Sequence, residues 1–487
     1  KNAWFDGTVE TDNLTIGGAQ GSDGQVLTST GSGVGWEDAG GGVSGLTGLV
    51  ENNSIWLGAD PSSTTNTASQ CVAVGATALD AITTGDHNIA VGYGALGGIT
   101  TGEINTAVGK NAGLSLTDGS ENVLIGSDVM NAVTGQGACT LVGVEAGKVN
   151  NVNGTTAVGW HAANSVTTAS GLTAVGYRAA QSVTGAGDTI MGYNAAYSMT
   201  TGDQNVTIGY NAAYTNTGSG NCTSIGYSAD YFGAGTRRTC VGANTLSAST
   251  LSSATDGSID CVAMGYGALL KNQGSNNTAI GSLCGDAITS GAGNTAVGKS
   301  ALSAETSGSN NTCVGLNAGA NIAGGSNNTA IGNEAGETGS PGGSIGGGSN
   351  HYCLGDENVA EAHIQVDWTI ASDKRDKTDI SPLDLGLEFI NKLEPVTYRW
   401  DKRSKYSLDQ SVTPDGTHKE EQLAGGFLAQ DVEIIEQEYG YNKEDKTNLI
   451  IHQSEDKQMY GIKYSKLVPM LVKAVQELSA EVEELKK

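Results

Sequence analysis

An aliphatic residue or methionine followed by glycine recurs from Gly58 to Gly355, eighteen glycines in all, at intervals of 17 or 16 residues with two of 23. Copies such as Asn105-Thr106-Ala107-Val108-Gly109 and Asn294-Thr295-Ala296-Val297-Gly298 show the pattern. A unit this short cannot bury a core alone, so the copies must stack into coils. Residues one and three before the glycine are aliphatic or β-branched, while Asn or Cys and Ala fall four and two before it. That alternation is the period of a strand. One face is then aliphatic and the other small or amide, and both are expected to be buried once coils stack. The recurring glycine marks a corner where a Cβ is forbidden. Asn occupies eight of the slots four residues earlier, which predicts an amide ladder running from coil to coil. At about 4.8 Å per strand the eighteen coils would extend roughly 85 Å.

Composition divides the chain. Residues 1–371 carry 8 Lys/Arg, 28 Asp/Glu and 67 of the 73 glycines; the remainder carries 17, 23 and 6. We therefore read an N-terminal β segment with a Gly-rich break over 1–45, a repetitive β-solenoid over 46–357, a connector over 358–371 and a small α+β domain over 372–487. The 23-residue intervals add about six residues each, near Ser247–Asp260 and Ser340–Ser349, and read as surface loops open to adhesive use. Aromatic residues are 5% of the chain, too few for a thick core in one molecule, so several chains are expected to share the burial. A parallel homotrimer is the simplest symmetric solution.

A net charge of −26 argues against nucleic acid and anionic membranes as partners. No run of 18 apolar residues exists, and Lys1-Asn2-Ala3-Trp4 does not begin a signal peptide, so no membrane insertion is expected. All eight cysteines precede residue 372 and none forms CxxC; seven lie four or two residues before a recurring glycine, as small apolar fillers would. The six histidines are dispersed, and the glycine-rich turns contain no phosphate-loop, dinucleotide or EF-hand pattern. No metal and no cofactor is expected. No carboxylate pair suggests glycoside cleavage.

Tyr193, Tyr210 and Tyr227 follow successive repeat glycines, and Tyr197, Tyr214 and Tyr231 lie four further on. Such rings suit sugar faces and are candidate receptor contacts; the competing reading is ring stacking that stiffens the coils. In the last stretch Tyr464, Val468, Leu471, Val475, Leu478, Val482 and Leu485 alternate by four and three, the seam of a coiled coil. The competing reading there is one amphipathic helix packed on its own domain, with Pro469 in its first turn.

Over residues 55–357 the repeats resemble the heads of trimeric autotransporter adhesins, which form a trimeric β-roll. The period here is longer, which leaves handedness and the number of strands per coil open. Residues 14–36 resemble a short β element of phage fibre proteins. At the compositional boundary stands Ala371-Ser372-Asp373-Lys374-Arg375-Asp376-Lys377. It is followed by Leu393-Glu394-Pro395-Val396-Thr397-Tyr398, Gly426-Phe427-Leu428-Ala429-Gln430-Asp431-Val432 and Tyr460-Gly461-Ile462-Lys463-Tyr464. This order resembles the endosialidase-type intramolecular chaperone that ends phage tail fibres and tailspikes. The resemblance implies a domain that assembles three chains, aids folding of the β structure ahead of it, and severs itself through a Ser-Lys dyad. Carried over by position, Ser372 is the nucleophile and Lys377 the base, with Asp373 and Arg375 shaping the site; which side of Ser372 is cut stays open. The chemistry is sound, because a desolvated lysine can take the serine proton. Without the neighbouring motifs the bland reading would stand, a turn serine and a solvated lysine.

The function expected from these features is that of a phage tail fibre in the virion, joined to other tail proteins and binding a bacterial surface receptor, a glycan. A tailspike depolymerase and a bacterial trimeric surface adhesin are the rivals.

Overall fold

The computed structural model describes residues 15–16, 19–20, 25–29, 34–38, 48–58, 67–233, 235–247, 258–340, 343–365, 369–407, 412–454 and 459–487. The chain is mostly β, a parallel β-solenoid with coils of about 17 residues followed by a small domain with a terminal helix. By contacts it divides into two compact units, residues 1–171 and 172–487.

In the first unit Thr15–Ile16 pairs antiparallel with Ala19–Gln20, and Gln25–Ser29 with Val34–Asp38. The glycine run at 40–42 lies outside the described residues. The solenoid opens with an antiparallel hairpin, Gly48–Glu51 against Ser54–Gly58. Its turn is Asn52-Asn53, both at positive φ, as the twist of a two-residue hairpin requires. From Ser54–Gly58 onward the strands pair in parallel, coil on coil, to Thr156–Val158. The register equals the repeat, with Thr106, Ala107 and Val108 opposite Val123, Leu124 and Ile125.

Each coil holds one short strand, three residues long in most, and closes through turns. This answers the question of strands per coil. The recurring glycine follows the strand at a φ that an L side chain rarely adopts, +136° at Gly109 and +137° at Gly126. A Cβ on Gly75 would lie 2.8 Å from the carbonyl oxygen of Gly92 in the next coil. Both reasons for glycine therefore act together: backbone conformation and close approach.

The two faces of the strand are not equivalent. The middle residue, such as Ala107 or Leu124, is buried together with Asn105 and Asn122, and the coil interior is completed by Ala112 and Leu116. The aliphatic residue before the glycine points outward, and Val108, Ile125 and Val158 are among the exposed large hydrophobics. The expectation that stacking buries both faces is therefore corrected: within one chain only the small and amide face is interior. The physical reason is width, since a 17-residue coil closed by turns encloses one layer of side chains.

The amide ladder is present. Asn105 donates through Nδ2 to Asn88 Oδ1 at 3.0 Å and Asn122 to Asn105 Oδ1 at 2.9 Å, while each backbone N–H in the slot reaches the preceding amide oxygen. Cysteine fills the same slot in the way the sequence suggests. Cys71 Sγ lies 3.5 Å from Gly85 O, the position at which Asn88 Nδ2 meets Gly102 O at 2.8 Å. All eight cysteines are buried and none forms a disulfide. Burial pushes the Cys284 and Cys313 thiols up to about 12.

In the second unit the same parallel coils run from Thr173–Val175 to Tyr352–Leu354. The ladder resumes over Asn294, Asn311 and Asn328 and ends on the backbone N–H of His351, 2.9 Å from Asn328 Oδ1. The outward aliphatic column continues through Met191, Met264, Ile280, Ile331 and Leu354. Of the first long interval, residues 248–257 lie outside the described residues. The second is not an open loop. Ile345 is buried in the solenoid core, Ser340 Oγ donates to Gly355 O at 2.7 Å, and Gly343 lies against Ser454 of the C-terminal domain. It covers the last coil, where no further strand would otherwise shield Cys353.

The C-terminal domain comprises α1 (Leu387–Lys392), a pairing of Val396–Tyr398 with Ala424–Gly426, α2 (Ala429–Glu438), a pairing of Ile451–Gln453 with Tyr460–Ile462, and α3 (Leu467–Leu485). Leu385, Phe389, Leu393, Val432, Ile450, Ile451, Leu467 and Met470 form its core. The buried Glu436 carboxylate accepts the N–H groups of Leu449, Ile450 and Ile451, tying α2 to the segment that follows it. Among the described residues no helix is long and apolar enough to cross a membrane, and no group of acidic, His or Cys side chains could hold a metal ion.

Candidate functional site

Asp373 starts the local geometry at the domain boundary. It caps a single 3-10 turn, Lys374–Asp376, by accepting the Arg375 N–H at 2.9 Å. The Arg375 guanidinium closes back on the same carboxylate, with Nη2 2.6 Å from Oδ2. That ion pair holds the Asp373 carboxyl below its usual range. Because the turn consumes three residues, Lys377 leaves it in an extended conformation and folds over Ser372. Its Nζ stands 2.6 Å from Ser372 Oγ and 3.3 Å from the Ser372 carbonyl oxygen. The structure thus brings all four predicted residues together, with Asp373 and Arg375 building the turn and Ser372 and Lys377 meeting across it.

The same segment is fully at the surface. Every residue from 371 to 382 is exposed, and the flanking Ile370 and Ile380 are 73% and 66% accessible. Among the described residues none covers the lysine. The pair stands at the hydrogen-bond distance that proton transfer requires, between exposed apolar residues.

Residues 372–441 match the family model described as chaperone of endosialidase. These residues are a chaperone-of-endosialidase domain. The match starts on Ser372 itself and takes in α1, the hairpin and α2, hence two of the three motifs after the boundary. The Tyr460–Tyr464 motif and α3 follow the matched residues, so the resemblance read over 372–487 is narrower than expected. No curated protein and no solved structure matches the chain.

Helix α3 packs one face on its own domain, as one of the two readings expects. Leu467, Met470 and Ala474 pack inward, and Glu477 accepts the Leu387 N–H at 2.7 Å, fastening α3 to α1 beside the chaperone core. Val468, Leu471, Val475, Leu478, Val482 and Leu485, the expected trimer seam, are all exposed. Tyr464 stands just before the helix, in a 3-10 turn, where its hydroxyl accepts the Phe427 N–H.

The tyrosine columns are stacked ladders. Tyr177, Tyr193, Tyr210 and Tyr227 lie 4.7, 5.0 and 5.5 Å apart, nearly parallel, and Tyr197, Tyr214 and Tyr231 lie 5.0 and 5.1 Å apart. Tyr177 and Arg178 were missed as members; Arg178 lies within cation–π distance of Tyr177 and Tyr197. Also missed was an ion pair buried in the coil interior, Arg238 Nη2 with Asp230 Oδ1 at 2.8 Å, both inaccessible. The available signal was an arginine in the slot that asparagine usually fills.

Proposed function

We propose that this chain is the receptor-binding part of a bacteriophage tail fibre, a homotrimer matured by its own C-terminal chaperone domain. One observation carries this reading. A chaperone-of-endosialidase domain stands at the end of a β-solenoid whose outward strand face is aliphatic in each unit, and α3 exposes an apolar face of its own. A monomer in water would leave both uncovered, and two further copies supply the cover. The same assembly would shut the exposed segment around Ile370 and Ile380 and dry the Ser372–Lys377 pair, so that cleavage follows correct assembly. In that step the neutral Lys377 amine accepts the Ser372 proton, Oγ adds to a peptide carbonyl beside it, and the proton passes to the departing amine; water then releases the ester. The protein would reside in the virion, attached to other tail proteins and to a glycan on the bacterial surface.

The test is incubation of the full chain, Ser372→Ala and Lys377→Met, followed by denaturing electrophoresis and sedimentation. The expected result is a cut near residue 372 in the unaltered chain alone, with all three proteins of trimeric mass. A monomeric mass, or equal cutting in the Ser372→Ala variant, overturns the reading.

A further inference from the structure

The first tyrosine ladder contains a missing rung. Tyr227, Ala243 and Tyr266 each follow a repeat glycine, and the strands before them are in register, Ile225 opposite Val241 and Val241 opposite Met264. The turns after the glycines remain stacked: Asn244 N–H donates to Tyr227 O at 2.9 Å and Gly267 N–H to Ala243 O at 2.9 Å. Tyr193 and Tyr210 have a ring on each side, so both their faces are covered. Tyr227 stacks on Tyr210 on one side, and on the other the next repeat position holds Ala243 in place of a ring. Exposure rises accordingly along the column, 43% at Tyr193, 47% at Tyr210 and 55% at Tyr227, and Tyr266 beyond the gap is 57% exposed.

Adjacent coils stand about 4.8 Å apart, so the two tyrosine positions flanking Ala243 are separated by about 10 Å. That is twice the stacking distance within the ladder, the room of one ring and no more. We propose that Tyr227 and Tyr266 wall a slot, floored by Ala243, that takes one neutral hexopyranose ring of a surface glycan. A pyranose at mid-slot lies about 5 Å from each wall and offers C–H groups to both, and the phenol hydroxyls at the rim meet its hydroxyl groups. Neutral sugars are selected because a chain of charge −26 repels acidic ones. The inference refines the glycan-receptor reading above and rests on it. It also changes which tyrosines matter: rings inside the ladder have no free face for a sugar, and the ring at the break does.

The experiment uses the full-length protein, a panel of neutral methyl hexopyranosides with their immobilised oligosaccharides, and an aromatic tripeptide as control probe. Binding is read by saturation-transfer NMR and by surface capture, with the melting temperature measured alongside. Tyr266→Ala is expected to weaken sugar binding about tenfold by removing one wall. Ala243→Tyr, which completes the stack, is expected to abolish binding at an unchanged or raised melting temperature. If sugars bind and both slot variants bind them equally well, the slot is wrong and the glycan-receptor reading stands. If the tripeptide binds in place of sugars and Ala243→Tyr blocks it, the ligand class is wrong. If no glycan in the panel is bound at all, both the slot and the reading it rests on fall.

Discussion

A single slot shows how far one atom matters in this fold. Asp188 occupies the position that asparagine fills in the ladder, and its Oδ1 still accepts the backbone N–H and the Nδ2 of Asn205 at 2.8 and 3.1 Å. An amide would turn its nitrogen to the carbonyls beside it, as Asn205 does toward Gly202 and Ser219. Asp188 has no such donor, and its buried Oδ2 has no partner. Burial raises its carboxyl to about 6, against the hydrogen bonds from Asn205. Since the folded carboxyl keeps a proton that the unfolded one has already released, its stabilising protonated form is complete below about pH 4 and lost as pH rises through about 6. Asp188→Asn should therefore raise the melting temperature at pH 7 by several degrees and remove part of the decline between pH 4 and 6. Differential scanning calorimetry at pH 4, 5, 6 and 7 checks it; an unchanged profile would show that Asp188 does not titrate there.

At the level of the element, the ladder serves the fold, and the terminal helix serves assembly in the proposed trimer. Asn105 accepts both the backbone N–H and the Nδ2 of Asn122, at 3.1 and 2.9 Å, and both residues are fully buried. Asn105→Ala orphans the buried Asn122 N–H and leaves its Nδ2 only Gln136 O, and should cost about 2–3 kcal/mol, read as a lowered denaturation midpoint with an unchanged sedimenting mass. The seam of α3 should behave in the opposite way. Leu471→Asp with Val475→Asp places charges on exposed positions of the single chain, so the domain should keep its far-ultraviolet circular dichroism while sedimentation reports dissociation to monomers. Loss of secondary structure instead of mass would mean that the seam serves the domain's own fold. Strand, corner glycine and amide ladder were all legible in the sequence, because each repeats a local rule often enough to be seen. Which strand face turns inward was not legible, since alternation defines two faces without saying which is enclosed. The burial of Ile345 was equally hidden, because an insertion's destination depends on what the last coil leaves uncovered.

For the whole molecule the difficulty lies in register. Every coil offers its neighbour almost the same three residues, as Thr295, Ala296 and Val297 do to Thr312, Cys313 and Val314, so slipping by one coil costs little locally. Features that break the repeat resist slippage: the buried Asp230–Arg238 pair fits only its own level, as does the stacked tyrosine block. These act only after coils have formed. In the proposed trimer, bringing three chains into alignment first requires an element that associates without the repeats, and the exposed apolar face of α3 is our candidate for it. The consequence is kinetic. The severed fragment ending near residue 372, kept folded, should remain trimeric and melt where the uncut trimer's solenoid melts. Denatured and diluted into buffer, the same fragment should recover little trimer, while the full Ser372→Ala chain recovers most of it under the same conditions. Analytical sedimentation of the two refolded samples decides the matter. Equal recovery would place the alignment signal within the repeats themselves and leave the chaperone domain without its proposed task.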